Sequence, residues 1–125
     1  MRMTIENNKE DTFVYLYFYD REDCILLNNG GESDKNCYLL FDHENEWVGL
    51  SIESDFNVRD LTNLGKGFIK RTSKEWLILF NKEVQFVRRE KHGCLTDLHN
   101  TNYTGIELIL LKTTITNRKY TTELL

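Results

Sequence analysis

Residues 12–20 read TFVYLYFYD, and the alternation in this stretch decides the fold class. Side chains point to opposite faces of an extended chain, so Val14, Leu16 and Phe18 take one face and Tyr15, Tyr17 and Tyr19 the other. Five positions of the stretch are aromatic, and aromatic and β-branched residues favour a pleated surface. The chain also contains no Pro and no Ala, which removes the best helix former.

The same rhythm continues downstream. CILL (24–27) follows a charged turn, and NNGGESDKN (28–36) carries Asn-Gly and Gly-Gly turn signals. CYLLF (37–41) and WVGLSI (47–52) flank DHENE and predict two antiparallel strands with a polar connection. Ser54, Phe56, Leu61, Leu64 and Gly65 allow one short helix at 55–64. GFIKR (67–71), EWLILF (75–80), VQFVR (84–88), GIELILLK (105–112) and TTITNRKY (113–120) complete eight to ten short strands, spaced as in an all-β sandwich or barrel. The expected fold is mainly β, or α+β with that single helix, built as an antiparallel sandwich or barrel-like sheet. At 125 residues the chain is one expected domain.

One pattern occurs twice. DHENEWVGLSIE (42–53) and LHNTNYTGIELI (98–109) each place a His, three polar residues, a large aromatic, one residue and a Gly before an alternating strand. The two copies suggest related hairpin halves, about 12–60 and 67–120. Gly at a strand start beside an aromatic marks a bulge, or a place where a ring crosses the backbone. The repeat therefore reads as structural, with no chemistry required of His43 or His99.

Composition narrows the function classes. Hydrophobic residues make up 40% and charged residues 29% of the chain, an ordinary globular balance. No apolar run approaches the ~20 residues of a membrane helix. The first residues, MRMTIENNKEDT, have no apolar core and no small-residue cleavage site, so a cytoplasmic protein is the expectation. Cys24, Cys37 and Cys94 are odd in number, lack CxxC spacing, and read as small buried hydrophobes.

The net charge of −4 is unevenly spread. Residues 1–60 hold 14 acidic against 5 basic side chains and residues 61–125 hold 6 against 11, balances of −9 and +5. Such a split predicts an interaction surface, or charges that neutralise one another across a sheet or a homodimer.

No nucleophile motif, phosphate-binding loop or dinucleotide fingerprint is present, so no enzyme activity and no cofactor are expected. The best metal candidate is HGCLTDLH (92–99), with His92, Cys94, Asp97 and His99, but structural zinc takes paired ligand motifs at tight spacing. Calcium at Asp42, Glu44 and Glu46 would need a ligand ladder and Gly that the stretch lacks. VRREKH (87–92) could hold phosphate through Arg88 or Arg89, although nucleic-acid binding calls for a broader basic footprint.

Two features point to a partner. Tyr15, Tyr17 and Tyr19 offer the rigid amphipathic area found at binding hot spots. Asp42, Glu44 and Glu46 alternate and would align on one side of an extended chain, ready for a basic protein. YTGIELILL (103–111) resembles a β-rich family of small immunity proteins, which neutralise polymorphic or contact-dependent toxins. The resemblance implies a non-enzymatic inhibitor, acidic because many such toxins are basic nucleases, and carries over no functional residue. A phage-encoded inhibitor of a host defence protein would share this physics. Two alternatives differ in class: a small-molecule or nucleotide-binding β protein with a tyrosine wall, and a small enzyme using His92, Cys94 and His99.

Overall fold

The computed structural model describes residues 2–17, 31–53, 68–81, 83–99 and 102–116. They form eight strands: β1 (Arg2–Asn7), β2 (Asp11–Tyr17), β3 (Gly31–Phe41), β4 (Trp47–Glu53), β5 (Phe68–Arg71), β6 (Glu75–Leu79), β7 (Arg88–His99) and β8 (Asn102–Leu111). All join one antiparallel sheet in the order β1-β2-β8-β7-β3-β4-β6-β5. Of the expected architectures the barrel-like sheet is the one observed: a curled half-barrel, with no helix among the described residues. The expected helix at 55–64, CILL (24–27), Cys24 and Tyr19 lie outside the described residues.

The curl follows from where the apolar residues sit. Val14 and Leu16 of β2, Leu39 of β3, Leu50 of β4, Ile78 of β6 and Ile106 and Leu108 of β8 share one buried cluster with Met3 of β1. Strands from opposite ends of one sheet touch a common core only if the sheet bends round it. β2 carries the alternation that TFVYLYFYD predicts, with Thr12, Val14 and Leu16 buried and Phe13, Tyr15 and Tyr17 half-exposed on the outer face.

The strand order has an internal symmetry. Exchanging β1 with β5, β2 with β6, β3 with β7 and β4 with β8 reproduces it, read from the other edge. The pseudo-twofold passes through the β3–β7 seam, where eleven residue pairs join the two strands. Hairpins from the two parts of the chain thus alternate across the sheet, so the acidic and basic halves are interleaved. Cys37 and Cys94 lie diagonally across this seam, both buried and both thiols. Their contact and their burial push the Cys37 thiol far above its ordinary value. Iodoacetamide at pH 8 should therefore leave Cys37 and Cys94 unmodified in the native protein and alkylate both in guanidinium, as read by peptide mass. Rapid native labelling of Cys37 would contradict its placement.

Three expectations are corrected, and one strand is added. Residues 31–36 belong to β3 and are no loop, because they pair with residues 93–98 of β7. Residues 84–87 are extended but in no ladder; Val84 and Phe86 pack on the outer face against Leu40, Val48 and Leu79. Residues 112–114 form a turn, and Ile115 folds into the core. β1 was not anticipated, since only Met3 and Ile5 of its six residues are large and apolar.

Candidate functional site

The repeated aromatic-x-Gly pattern has a shared backbone meaning. In the first hairpin Phe41 pairs with Trp47 and Leu40 with Gly49, so the register shifts there. In the second, Leu98 pairs with Tyr103 and Asp97 with Gly105, with a shift at the same point. Each Gly follows the extra residue of a bulge. At the first site the Trp47 indole also crosses back and donates to the Gly49 carbonyl at 2.8 Å.

The connecting turns differ. Asp42 Oδ1 accepts from the backbone N–H of Glu44 and of Glu46, both at 2.9 Å, and Asn45 takes a left-handed φ of 63°. The expectation that Asp42, Glu44 and Glu46 align on one side is therefore corrected: the segment is a turn, and Asp42 holds its backbone. Glu44 is exposed beside His43, at 3.8 Å. Glu46 is half-buried, with Oε2 shielded and lacking a hydrogen-bond partner. Arg88 secures the hairpin, its guanidinium 4.1 Å from the Phe41 ring centroid and Nη2 donating to Asn45 at 2.6 Å.

The chemistry proposed around the second histidine cluster does not assemble among the described side chains. His92 lies 3.1 Å from Glu90, while Cys94 turns into the core beside Cys37. No group of three or more His, Cys, Asp or Glu side chains among the described residues could hold a metal ion; the side chains of Asp97 and His99 lie outside the description. The two arginines are engaged. Arg88 also bonds Glu90 at 3.1 Å, and Arg89 grips Glu75 with two N–H donors, one at 2.7 Å. Ser51 donates to the same carboxylate.

This clamp has a pH signature. Hydrogen bonds from Arg89 hold the Glu75 carboxyl below its ordinary 4.5; burial opposes them, and the Ser51 hydroxyl adds a lesser pull in the same direction as Arg89. A lowered native value stabilises the fold above the unfolded value and is lost as pH falls through the native one. Arg89 is 38% exposed, and solvent screening keeps the contribution near ~1 kcal/mol. Urea midpoints should fall more steeply below about pH 4.5 in the wild type than in Arg89→Met. Parallel curves would show that the clamp adds nothing.

The outer face of the sheet divides in two about the seam. Over β3, β4 and β6, Val84 and Phe86 pack on the buried Leu40, Val48 and Leu79, as Tyr38 and Leu77 also do. Over β2, β8 and β7 lies an open hollow of about 430 Å³, floored by Phe13, Tyr15, Leu95, Glu107 and Ile109 and deepened by Gly93. A Cβ at Gly93 would meet nothing within 4 Å. Ile109 is 60% and Leu111 68% exposed, and both continue the apolar floor along β8. Glu107, which pairs with Tyr15, puts a carboxylate in the floor, and Glu6 and Asp11 share the same outer face, paired with Phe13 and Leu111. Directly paired residues share a face.

Of the sequence-predicted site residues, the structure puts Tyr15 in this hollow and Tyr17 further along the same strand face, and leaves Asp42, Glu44 and Glu46 at a separate hairpin tip. Neither Arg88 nor Arg89 lines the hollow, so the tyrosine wall and the phosphate-binding arginines of the nucleotide reading are not brought together. Phe13, Glu107, Ile109 and Leu111 were not anticipated. The unbroken apolar run LILL (108–111) carried the signal, since it makes both faces of a strand apolar. No helix among the described residues is long and apolar enough to cross a membrane. Comparison with protein-family models, curated proteins and solved structures returned no match.

Proposed function

We propose that the protein is a non-enzymatic binding module that captures a basic protein on the outer face of β2, β8 and β7, as an inhibitor of the immunity-protein kind would capture a toxin. One observation carries this reading: Phe13, Tyr15, Ile109 and Leu111 form a continuous apolar strip with Glu6, Asp11 and Glu107 along it. An apolar centre excludes water and supplies affinity, while a charged border selects the sign of the partner and speeds the encounter. A phage-encoded inhibitor of a host defence protein would use the same surface.

The volume of the hollow favours a second reading. At about 430 Å³ it falls in the range of small-molecule pockets. Its carboxylate works against phosphate and favours a neutral or cationic ligand.

The two readings separate in one experiment. Tagged wild type, Ile109→Asp and Glu44→Gln are used as baits in lysate of the native host, and bound material is weighed by native mass spectrometry. A single basic protein in equimolar amount, kept by Glu44→Gln and lost by Ile109→Asp, supports the inhibitor. Its retention by Ile109→Asp would remove this face as the site. Recovery of a small molecule in place of a protein would favour the second reading.

A further inference from the structure

We propose that the chain pairs with a second copy of itself along the outer edge of β1, the two β1 strands running antiparallel about a twofold axis at Thr4 and joining two sheets into one. Among the described residues β1 bonds β2 and β5 bonds β6, so these two strands form the edges of the sheet. An edge strand offers a row of backbone donors and acceptors to another chain unless it is shortened, bulged or charged. β5 is protected in that way: it has four residues, FIKR, two of them cationic. β1, RMTIEN, is longer at six residues, keeps an unbroken register with β2, and carries one charge of each sign.

The order of residues in β1 is complementary to itself. Positions 2, 4 and 6 pair with Tyr17, Tyr15 and Phe13 on the outer face, while Met3 and Ile5 pair with Leu16 and Val14 on the core side. Directly paired residues share a face, so a joint that keeps both cores on one side opposes even positions to even and odd to odd. Centring on Ile5 would set Met3 against Asn7 on the core side, and centring on Met3 would pair only residues 2–4 of the strand. Centring on Thr4 pairs residues 2–6. Arg2 then meets Glu6 of the second copy, Met3 meets Ile5, and Thr4 meets Thr4, each contact made twice as in any isologous interface. Ile5 is half-buried at the rim of the core, and Met3 of the second copy covers it. Glu6 is exposed and open to the cation. The contact is small beside the roughly 1,200 Å² that stable interfaces bury, so the dimer forms reversibly and dissociates on dilution.

Sedimentation velocity of the full chain over a wide range of concentration should show a reversible monomer–dimer exchange. Glu6→Arg sets like charges opposite each other at both ends of the joint and should raise the Kd roughly tenfold. Arg2→Glu should do the same. The two changes together should restore the wild-type Kd, which damage to the fold would not allow. The register has its own readout. Paired Cα atoms of antiparallel strands lie about 4.5–5.5 Å apart, within disulfide reach. Thr4→Cys treated with oxidised glutathione should therefore give a covalent dimer that reduction dissolves, with the wild type as the blank for the native thiols. A chain that stays monomeric up to about 1 mM overturns the proposal. So does a dimer indifferent to both charge reversals: its loss in Lys70→Glu would place the contact at β5, and its loss in Ile109→Asp would place it on the outer hollow. Capture of a basic protein through Ile109 is scored separately, and neither result decides the other.

Discussion

Gly49→Ala should destabilise the fold by about 3 kcal/mol, the upper part of the usual overpacking range. A Cβ at Gly49 would run into the Ile78 carbonyl oxygen and come within 3.1 Å of the Leu79 Cα. Both obstacles are backbone of β6, so no rotamer change relieves them. Gly49 pairs directly with Leu79, and Leu50 with Ile78, so retreat would pull β6 from β4 and open the join to β5. The collision lies beside the bulge and on the residue whose carbonyl receives the Trp47 indole, which leaves little freedom to shift on the other side. Gly93→Ala is the control. Its Cβ would enter open space, and the change should stay within about 0.5 kcal/mol, as for surface substitutions that disturb no contact. Urea unfolding of both variants checks the pair. Equal midpoints would mean that β4 and β6 do not approach as closely as described.

That glycine was legible in the sequence, and the reason shows what sequence patterns report. TFVYLYFYD and WVGLSI each carry a face-specific alternation, so β2 and β4 appear where the pattern puts them. The aromatic-x-Gly pair marked its bulges because a Gly after a large ring has few other uses at a strand start. VQFVR shows the limit. Its alternation is real and reports an extended chain, yet only Val87 of residues 84–87 gives its N–H to a strand, at the Phe41 carbonyl. Periodicity specifies conformation and burial, and ladder pairing is a separate fact. β7 is the converse case. RREKHGCLTDLH has little apolar periodicity, but it pairs with β3 along eleven residues and with β8 along five. Arg88 lays its guanidinium on Phe41, so the long cationic side chain stands in for an apolar one.

The site was half-legible for a related reason. The outward direction of Tyr15 and Tyr17 is local and follows from their own strand. The rest of the surface depends on β8 pairing with β2, a contact between residues near 14 and near 108, which no window of sequence contains. The alignment expected of the acidic stretch failed locally as well. Alternation of Asp42, Glu44 and Glu46 places carboxylates together only on an extended chain, whereas Asp-x-x-Asn with a left-handed Asn45 builds a turn. Carboxylates do share the outer face with Tyr15, but they come from three strands: Glu107 of β8 beside Tyr15, Glu6 of β1 beside Phe13 and Asp11 of β2 beside Leu111.

Trp47→Ala should cost about 4 kcal/mol, the typical loss for a fully buried large aromatic. Trp47 has no exposed surface, packs edge-on against Phe80 with ring centroids 4.8 Å apart at 87°, and pairs with Phe41 across the hairpin. Three rings, from β3, from β4 and from Phe80 just after β6, therefore meet in the core cluster, and removing the largest leaves a void between strands that cannot close without breaking register. Trp47→Phe divides the effect. It keeps much of the apolar contact and removes the indole N–H that bonds the Gly49 carbonyl at 2.8 Å, so it should cost about 1–2 kcal/mol. Urea unfolding followed by far-ultraviolet circular dichroism measures all three proteins without relying on the altered fluorophore. Combining Trp47→Phe with Gly49→Ala tests the mechanism. If the ring and the glycine act as one device, the double variant should lose less than the two losses added, because Gly49→Ala alone already displaces the carbonyl that the indole needs. Strict additivity would mean that the indole bond and the close approach of β4 to β6 stabilise the sheet independently.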